Sequence, residues 1–544
     1  MSSRPRVVLF RANGVDTDSR AKKFGMTLAR LGYDVHLLSA EPVGSAAGSP
    51  AVAGTTPRHL TTHGRGGELQ VTVHTVPIGT THRDLHRAAL VHRRRRRFTL
   101  LDRSSEDEYR TAMRELRAEL ATATGARKVL GGVRLAWRGG RGKVQWAINV
   151  AHRLAWRRWD DLRANSTWLA TTRGVLPEIE DYAAAFAPVL DRLEPDVIHA
   201  HHPLVLGTAV RAARRRRAAG ATCHVIYDAR EDFAGLPVQE QGRRRRHAVL
   251  VREEARYIRD ADAVITVSEP IATTLAARYA LTATPTVVLN VPVDDVTRRP
   301  GGGAVWGLPT VRDVIEVAGR PLAPEVPLLV YSGAVSKARG VDVLIEALPH
   351  LPEVHAVVVP VPYPHPQLPA LQQRAAELGV GERFHVAPPV GQDHLLHYLA
   401  GADLAVFPIR TGSANIEQAL PNKLFESVHA GLPIVTCDAA LIAAFVREHD
   451  LGEVFSFGRA GEIAGQAATD AEPAARDLAR AVRRALDNPR NSFDPHWQEL
   501  RRHYSWQGQE RAIRGVYTPL VAPPTPDGIE VEPFGSLTVD GRSS

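Results

Sequence analysis

Short apolar runs alternate with helical patterns along both halves of this 544-residue chain. The run Val7–Phe10 is followed by a helical pattern over Arg20–Leu31, a glycine, and a second apolar run over Val35–Ser39. A strand, a helix and a strand in this order form a βαβ unit, which places both strands parallel in one sheet. The same rhythm resumes over Leu328–Phe457. The sequence therefore predicts an α/β protein with a parallel sheet in each half.

The clearest domain boundary is the Pro- and Gly-containing stretch Pro300–Pro327, whose patterning is weak. We predict a first domain over residues 1–297 and a second over residues 298–494. A terminal helix is predicted within residues 495–518, followed by a flexible tail over residues 519–544.

One stretch of the second domain has the composition of an anion-binding site. The apolar run Leu404–Ile409 is followed by a polar loop, and Pro421 then suits the first turn of a helix over Asn422–Ala430. A helix that begins at the carboxyl end of a parallel strand presents free amides and partial positive charge, which favour a phosphate. Lys423 adds to that field, and Glu426 lies about one turn below it, within reach of a sugar diol. These residues predict a nucleotide-sugar site. The alternative is a capped surface helix on which the lysine and the glutamate form a solvated pair.

The segment Pro421–Val435, PNKLFESVHAGLPIV, resembles the donor-binding signature of glycosyltransferase family 4, which contains retaining enzymes with the GT-B fold. Asp18–Arg20 and Tyr227–Glu231 resemble segments of the same family's first domain. The resemblance implies two Rossmann-like domains that face a central cleft, with a terminal helix that crosses back to the first domain. It also implies that a hexose-type residue moves from a nucleoside diphosphate sugar, the co-substrate, to an acceptor hydroxyl with retention. No metal and no other cofactor is expected, since lysine and arginine supply the countercharge.

The resemblance assigns donor-binding roles within the second domain. Glu426 matches the glutamate that binds the nucleotide ribose, and Gln418 stands where the family has a glutamate near the transferred sugar. Gly333 matches the glycine that lets the donor phosphate approach, and Arg339 matches a basic residue that pairs with the diphosphate. Ala334 replaces a second basic residue, for which a lysine in the same loop is the predicted substitute. The predicted donor-binding residues are Gly333, Lys337, Arg339, Gln418, Asn422, Lys423 and Glu426.

Residues at strand ends of the first domain are the candidates for acceptor binding and catalysis. Asp228 and Glu231 are predicted to orient acceptor hydroxyls, and the alternative is an ion pair within their own segment. Arg230 stands where the family has a histidine. Because a guanidinium only donates hydrogen bonds, Arg230 is predicted to clamp an anionic acceptor or a donor phosphate. His201 is a further catalytic candidate, with a core histidine as the alternative. No cysteine or carboxylate lies at a familiar spacing from it, so no metal site is predicted. The remaining predicted cleft residues are Asp18 and Arg20.

Residues 82–168 interrupt the α/β pattern with a basic segment that holds five of the eight tryptophans. Between Lys143 and Trp159 the apolar residues keep helical spacing, with Trp and Arg at the margins, which suits the interface of an anionic membrane. The alternative is an inserted helical pair that packs on the first domain with solvated arginines. The run Arg93–Arg97 lies near no recognisable nucleic-acid-binding motif, so no nucleic-acid partner is predicted.

Composition narrows the setting in which the protein acts. The formal net charge of +9 predicts a surface that attracts anions such as phosphates or an acidic membrane face. Cys223 and Cys437, the only cysteines, lie in separate apolar runs, as expected of buried thiols in a reducing compartment. The amino terminus lacks the apolar core of a secretory signal, and no run approaches the ~20 apolar residues of a transmembrane helix. We therefore predict a protein of the cytoplasm or of the inner face of the membrane.

The predicted function is that of a retaining glycosyltransferase with a glycan or lipid-linked acceptor of the cell envelope. Two other classes stay open. A nucleotide-sugar epimerase of the same fold would need the same phosphate and ribose contacts. An inactive, membrane-recruited protein that binds sugar nucleotides would fit the departures from the family at Arg230, Ala334 and Gln418.

Overall fold

The computed structural model describes most of the chain. The described residues are 4–12, 14, 18–41, 58–64, 67–85, 88, 106–165, 175–236, 241–294, 308–317, 319–411, 414–458, 471–488, 494–522, 538–539 and 542–543. The arginine run at 93–97, the border at 297 and the start of the linker lie outside them.

The chain forms two compact units. The first consists of Met1–Ile78, Ala185–Pro237 and Val251–Ser544, and the second of Gly79–Ala184 and Val238–Leu250.

Most strands belong to two sheets of the first unit, and one short pair stands apart. The strands are β1 Arg6–Arg11, β2 Asp34–Ala40, β3 Arg58–Gly64, β4 Gly67–Val76, β5 Val197–His201, β6 His224–Ala229, β7 Ala263–Thr266, β8 Thr286–Val287, β9 Glu316–Val317, β10 Arg320–Pro321, β11 Leu328–Gly333, β12 His355–Pro360, β13 Phe384–Val386, β14 Leu404–Phe407, β15 Ile434–Cys437, β16 Gly452–Phe455, β17 Thr538–Val539 and β18 Arg542–Ser543.

The two large sheets are predominantly parallel. The first has the order β18-β17-β3-β4-β2-β1-β5-β6-β7-β8, and the second has the order β13-β12-β11-β14-β15-β16. From β4 through β8 in the first sheet, and throughout the second, neighbouring strands run parallel. All five residues of β5 and all six of β11 are buried, as expected of parallel strands covered on both faces. The predicted α/β class, with two Rossmann-like parallel sheets, is confirmed.

Helices alternate with the strands. They are α1 Ser19–Arg30, α2 Glu106–Thr122, α3 Ala126–Asn165, α4 Glu178–Leu193, α5 Pro203–Ala218, α6 Gln241–Tyr257, α7 Glu269–Tyr279, α8 Val341–Ala347, α9 Leu368–Glu377, α10 Gln392–Leu399, α11 Ala414–Gln418, α12 Asn422–Ala430, α13 Ala440–Glu448, α14 Ala471–Asp487, α15 Pro495–His503 and α16 Glu510–Tyr517. We call the part of the first unit built on β1–β8 the first lobe, and the part built on β11–β16 the second lobe.

The segment after the second lobe returns to the first lobe, although not as the single helix that the sequence predicts. It consists of α15, a 3₁₀ turn over Gln507–Gln509, and α16. The fully buried Trp506 anchors it, because its backbone N–H donates to Pro292 O (2.7 Å) and its indole N–H donates to Thr27 Oγ1 (2.9 Å). The Trp506 ring also packs edge-on against Phe24 of α1, with ring centroids 5.1 Å apart.

The tail predicted to be flexible from residue 519 makes contacts with the first lobe at the residues that are described. The carbonyl of Val521 accepts a hydrogen bond from Tyr33 Oη (2.8 Å). Strand β17 pairs antiparallel with β3, with Thr538 opposite Thr61. The prediction missed this pairing because β17 is only two residues long and pairs with a partner far away in the sequence.

Among the described residues, no helix combines the length and the apolar character that crossing a bilayer requires.

We predict that Trp506→Ala lowers the free energy of unfolding by about 3–5 kcal/mol, since it removes a fully buried ring together with its hydrogen bond to Thr27 and its contact with Phe24. Chemical denaturation would measure the loss. Trp146→Ala, which truncates a side chain with 61% exposure, is the matched control and is expected to change stability by about 0.5 kcal/mol or less. Equal losses in the two variants would show that the terminal segment does not anchor the first lobe.

Candidate active site

Helix α12 begins without a cap. Its N-cap residue, Pro421, has extended backbone angles, and among the described residues no side chain caps the first turn. The helix ends as the sequence predicts, at Gly431 in the left-handed region (φ 76°). Its first amides are therefore available to a ligand, as are those of any uncapped helix start.

Lys423 of α12 reaches the end of the neighbouring strand β11. Gly333, the last residue of that strand, has φ 131°, and a β-carbon built on it would lie 1.9 Å from Lys423 Nζ. Only glycine leaves room for the ammonium group at this point. Burial lowers the pKa of Lys423, nearby Glu426 raises it, and nearby Arg339 lowers it further. The α12 start, the lysine and the strand end thus form one cationic site.

Glu426 is partly exposed, and within the described part of the chain its carboxylate accepts no hydrogen bond. Burial raises its pKa, while Lys423 and Lys23 act in the opposite direction. Lys23 belongs to α1 of the first lobe, and its Nζ donates to Val291 O (2.6 Å) and Asn290 Oδ1 (3.0 Å). Burial and Arg20 lower the pKa of Lys23 to about 7. The sequence reasoning missed this lysine because nothing in the local pattern of α1 distinguishes it from a surface lysine.

Arg410, which the sequence reasoning also missed, holds the loop after β11 in place. A β-carbon on Gly340 (φ 69°) would lie 1.7 Å from Pro408 O, so the loop packs directly on backbone. Arg410, 5% exposed, donates to both Asp342 oxygens (2.8 and 2.7 Å) and to the carbonyl of Lys337. This bracing fixes the 3₁₀ turn that carries Arg339.

Arg339 is the basic residue of this loop that lies near the site. It interacts electrostatically with Lys423 and with Glu231 of the first lobe. Lys337, the predicted substitute for the missing cation, has an exposed side chain.

The segment predicted as a polar loop before α12 contains the short helix α11, and this helix contacts the first lobe. The carbonyl of Gln418 accepts from Ser268 Oγ (2.5 Å), and its side-chain oxygen accepts from Thr274 Oγ1 (3.4 Å). Glu417 faces the other way and accepts from the N–H of Ala440, the first residue of α13 (2.7 Å). Gln418 therefore joins the two lobes, whereas Glu417 caps a helix.

Asp228 and Arg20, predicted to face the cleft, are instead buried in the first lobe, at 0% and 1% exposure. The carboxylate of Asp228 accepts from Arg20 Nε (2.8 Å) and Nη2 (2.9 Å), from Arg230 Nε (3.2 Å), and lies 2.9 Å from His201 Nδ1. Burial raises the pKa of Asp228, but Arg20 and His201 outweigh it and hold this pKa well below its usual value. Asp228 and Arg20 therefore form a buried ion pair, whose two partners lie far apart in the sequence.

Arg230 and Glu231 are the members of the predicted acceptor set that reach the surface. The Arg230 side chain is 30% exposed and donates to Asp18 Oδ2 (2.8 Å). Asp18 is buried, and it caps α1 by accepting from the N–H of Ala21 (3.1 Å). Glu231 is exposed and interacts electrostatically with Arg339. These residues bring the first lobe to the same region as the second-lobe cations.

His201 is buried, and its ring stacks on His199 with centroids 4.1 Å apart. The potential metal-ligand atoms of His199, His201 and Asp228 lie within 4.8 Å of one another. The fold thus brings a carboxylate to the two histidines, although no carboxylate lies at a metal-site spacing from them in the sequence. However, Asp228 already binds two guanidinium groups, and burial lowers the pKa of His201 to about 4. The Nδ1 atoms of His199 and His201 lie within hydrogen-bonding distance of Tyr517 and Asp228, whereas in the described part of the chain their buried Nε2 atoms have no partner. His201 is therefore a core histidine that is hydrogen-bonded on one side only.

Two family models match the chain, one in each half. Residues 152–296 match "Glycosyltransferase Family 4", and residues 326–488 match "Glycosyl transferases group 1". The chain belongs to glycosyltransferase family 4. The second match contains α12 and the whole cationic site, and the first contains the strand ends with Arg230 and Glu231.

Similar proteins agree with this assignment. A D-inositol 3-phosphate glycosyltransferase of Mycolicibacterium gilvum is 30% identical over 157 residues, which are 26% of this chain and 35% of that protein. A glycogen synthase of Cellvibrio japonicus is 28% identical over 214 residues, which are 38% of this chain and 40% of that protein. The alignments thus span less than half the length of either relative.

A solved structure supports the predicted GT-B fold. The sucrose-phosphate synthase of Thermosynechococcus elongatus superposes with a TM-score of 0.53 at 13% identity, over 95% of this family 4 chain and 100% of that protein.

We predict that Asp228→Asn lowers the free energy of unfolding by about 3–5 kcal/mol, because it leaves the Arg20 guanidinium buried without its counterion. Denaturation in urea would measure the loss. Asp260→Asn, which breaks an exposed pair with Arg214, is the matched control and is expected to cost about 1 kcal/mol or less.

The difference between wild type and Asp228→Asn is also expected to depend on pH. Because the folded-state pKa of Asp228 is depressed, its contribution is complete above the unfolded pKa of about 4 and is lost as the pH falls below it. A cost for Asp228→Asn no larger than that of the control at neutral pH would contradict a buried ion pair.

Proposed function

We propose that this family 4 protein is a retaining glycosyltransferase, which transfers a sugar from a nucleoside diphosphate sugar to an acceptor hydroxyl. The observation that carries the proposal is the contact of Lys423 Nζ with Gly333 beside the uncapped start of α12. An ammonium group, free helix amides and a strand end without a side chain are what a pyrophosphate needs in order to approach the backbone.

The donor diphosphate would bind at the start of α12. The amides of Asn422 and Lys423, the Lys423 ammonium and the Arg339 guanidinium would stabilise the negative charge that grows on the leaving diphosphate. Glu426, one turn further along, would accept hydrogen bonds from the two hydroxyls of the ribose. Its carboxylate has no competing donor within the described part of the chain, so it is free for that role.

The acceptor hydroxyl would attack the anomeric carbon as the bond from that carbon to the phosphate oxygen breaks. The leaving diphosphate, held on the same face of the sugar, would take the acceptor proton, and the configuration would be retained. We assign no nucleophile from the protein to this step. Lys423 and Arg339 supply countercharge at the diphosphate, and we propose that the reaction uses no metal or other cofactor.

We propose that Glu231 and Arg230 face the acceptor. Glu231 would orient a hydroxyl, and the exposed part of the Arg230 guanidinium would meet an anionic group on the acceptor. The name of one relative, D-inositol 3-phosphate glycosyltransferase, fits an acceptor with a phosphate. A glycan or lipid-linked acceptor of the cell envelope, used in the cytoplasm, remains our proposal for the natural reaction.

Thermal shifts against UDP-, GDP- and ADP-sugars would test the donor site, followed by calorimetry with the donor that stabilises the protein most. Glu426→Gln is expected to weaken binding about ten- to hundredfold, the effect of losing a charged hydrogen-bond partner. Glu448→Gln, an exposed glutamate at the end of α13, is the matched control and should bind as wild type does. Stabilisation by no donor, or equal affinity in both variants, would refute the proposed site.

The close approach at Gly333 gives a second test. Gly333→Ala places a methyl group at the position of the Lys423 ammonium and is expected to lower donor affinity about tenfold or more, the effect of losing one charged contact. Gly319→Ala introduces the same kind of strain at φ 74° but has open space around it, so its donor affinity should equal that of wild type. If the two variants bind the donor equally well, the ammonium does not contact the phosphate.

Product analysis tests the reaction itself. With donor and acceptor present, NMR of the product is expected to show the anomeric configuration of the donor. Inversion would contradict the retaining mechanism. An epimerised sugar formed without any acceptor would identify an epimerase, and donor binding without turnover over a broad acceptor panel would identify an inactive binding protein.

A further inference from the structure

Helix α3 of the second unit is long and strongly basic. It runs for 40 residues, or about 60 Å at the α-helical rise. It contains ten Lys or Arg residues and only two Asp residues. Such a length and charge mark it as a surface for an anionic partner.

One face of α3 packs on α2, and glycines allow the close contact. A β-carbon on Gly131 would lie 3.2 Å from Leu120 Cγ, and one on Gly139 would lie 3.8 Å from Met113 Cε. Met113 and Leu116 of α2 are buried in this contact region. The helical pair that the sequence left as an alternative is therefore present, but its contact uses the glycine face of α3.

The rest of α3 exposes large apolar side chains. Eight of the twelve exposed large hydrophobic residues of the described chain belong to this helix, and they are Val129, Leu130, Val133, Trp137, Val144, Trp146, Leu154 and Trp159. All but Trp146 fall within an arc of about 140° at 3.6 residues per turn. We call these seven residues the exposed stripe. Their exposures range from 46% to 69%, so the stripe lies open to solvent along about 45 Å of the helix.

Cations border the exposed stripe. Arg134, Arg138 and Arg141 follow one another along one of its margins, and Lys143 lies at the other. The Arg141 guanidinium also lies over the Trp137 ring, 4.3 Å from its centroid. Tryptophans beside arginines, next to a continuous row of Leu and Val, combine an apolar face with a cationic margin.

We propose that α3 docks on an anionic phospholipid bilayer, with the exposed stripe toward the acyl chains and the bordering cations at the headgroups. Apolar area of this extent is seldom left uncovered on a soluble protein. The excess of basic over acidic residues selects a negatively charged surface. A nucleic acid would engage the cations but would leave the row of Leu and Val without a partner. The inference rests on α3 alone and is independent of the proposed catalytic reaction.

Co-sedimentation of the full chain with vesicles tests this docking. We expect binding to vesicles of equal parts phosphatidylglycerol and phosphatidylcholine, much weaker binding to pure phosphatidylcholine, and weakening by salt. Quenching of tryptophan fluorescence by brominated acyl chains would report whether the stripe enters the bilayer.

Two double variants distinguish binding through the exposed stripe from non-specific binding through other exposed apolar residues. Val133→Gln with Leu154→Gln removes two stripe residues and is expected to weaken binding to anionic vesicles about tenfold or more. Leu85→Gln with Val314→Gln removes one exposed Leu and one exposed Val elsewhere and should leave binding unchanged. A third variant, Arg134→Gln with Arg138→Gln, should weaken binding and reduce its salt dependence.

Three results would overturn the proposal. The first is a wild type that does not bind anionic vesicles. The second is a stripe variant that binds as well as its control while its circular dichroism shows an intact fold. The third is a wild type that self-associates through the stripe, dissociates on Val133→Gln with Leu154→Gln, and does not bind vesicles, which would make the stripe a protein interface.

Discussion

The ammonium of Lys423 occupies the space that a side chain on residue 333 would fill, and the proposed chemistry depends on this contact. The contact brings a helix start and a strand end together, so that backbone amides and a fixed cation face the same point. Burial lowers the pKa of Lys423 and raises the pKa of Glu426, and each group opposes the effect of burial on the other. The site therefore holds opposite charges about one helical turn apart, which matches a diphosphate linked to a sugar.

Other contacts hold the two lobes together around that site. Gln418 joins α11 to α7 through Ser268 and Thr274, and Trp506 holds the terminal segment on α1. Within the first lobe the buried Asp228 accepts hydrogen bonds from Arg20 and from Arg230, so one ion cluster ties α1 to the end of β6. The exposed part of Arg230 is the part that we propose faces the acceptor. The end of β6 therefore carries both the buried ion cluster and the charge that we propose binds the acceptor.

Much of this was predictable from the sequence, because the informative signals are local. Pro421 and Gly431 set the bounds of α12, and apolar periodicity identified both parallel sheets. Residues whose environment depends on distant segments were not predictable: Arg20 and Asp228 look like cleft residues in sequence and become buried only when α1 packs against β6. Lys23 and Arg410 were missed for the same reason, since their partners lie far away in sequence or outside any motif. Between Lys143 and Trp159 the apolar face of α3 was visible as a pattern, but only the structure shows that the face begins at Val129 and stays exposed.

A crystal structure of the protein with a bound nucleoside diphosphate would show whether the diphosphate binds at Lys423 and the ribose at Glu426. We expect a terminal phosphate within about 3 Å of the amides at the start of α12 and of Lys423 Nζ, with the ribose hydroxyls on the Glu426 carboxylate. A nucleotide bound elsewhere, or one whose ribose leaves Glu426 without a contact, would contradict this expectation.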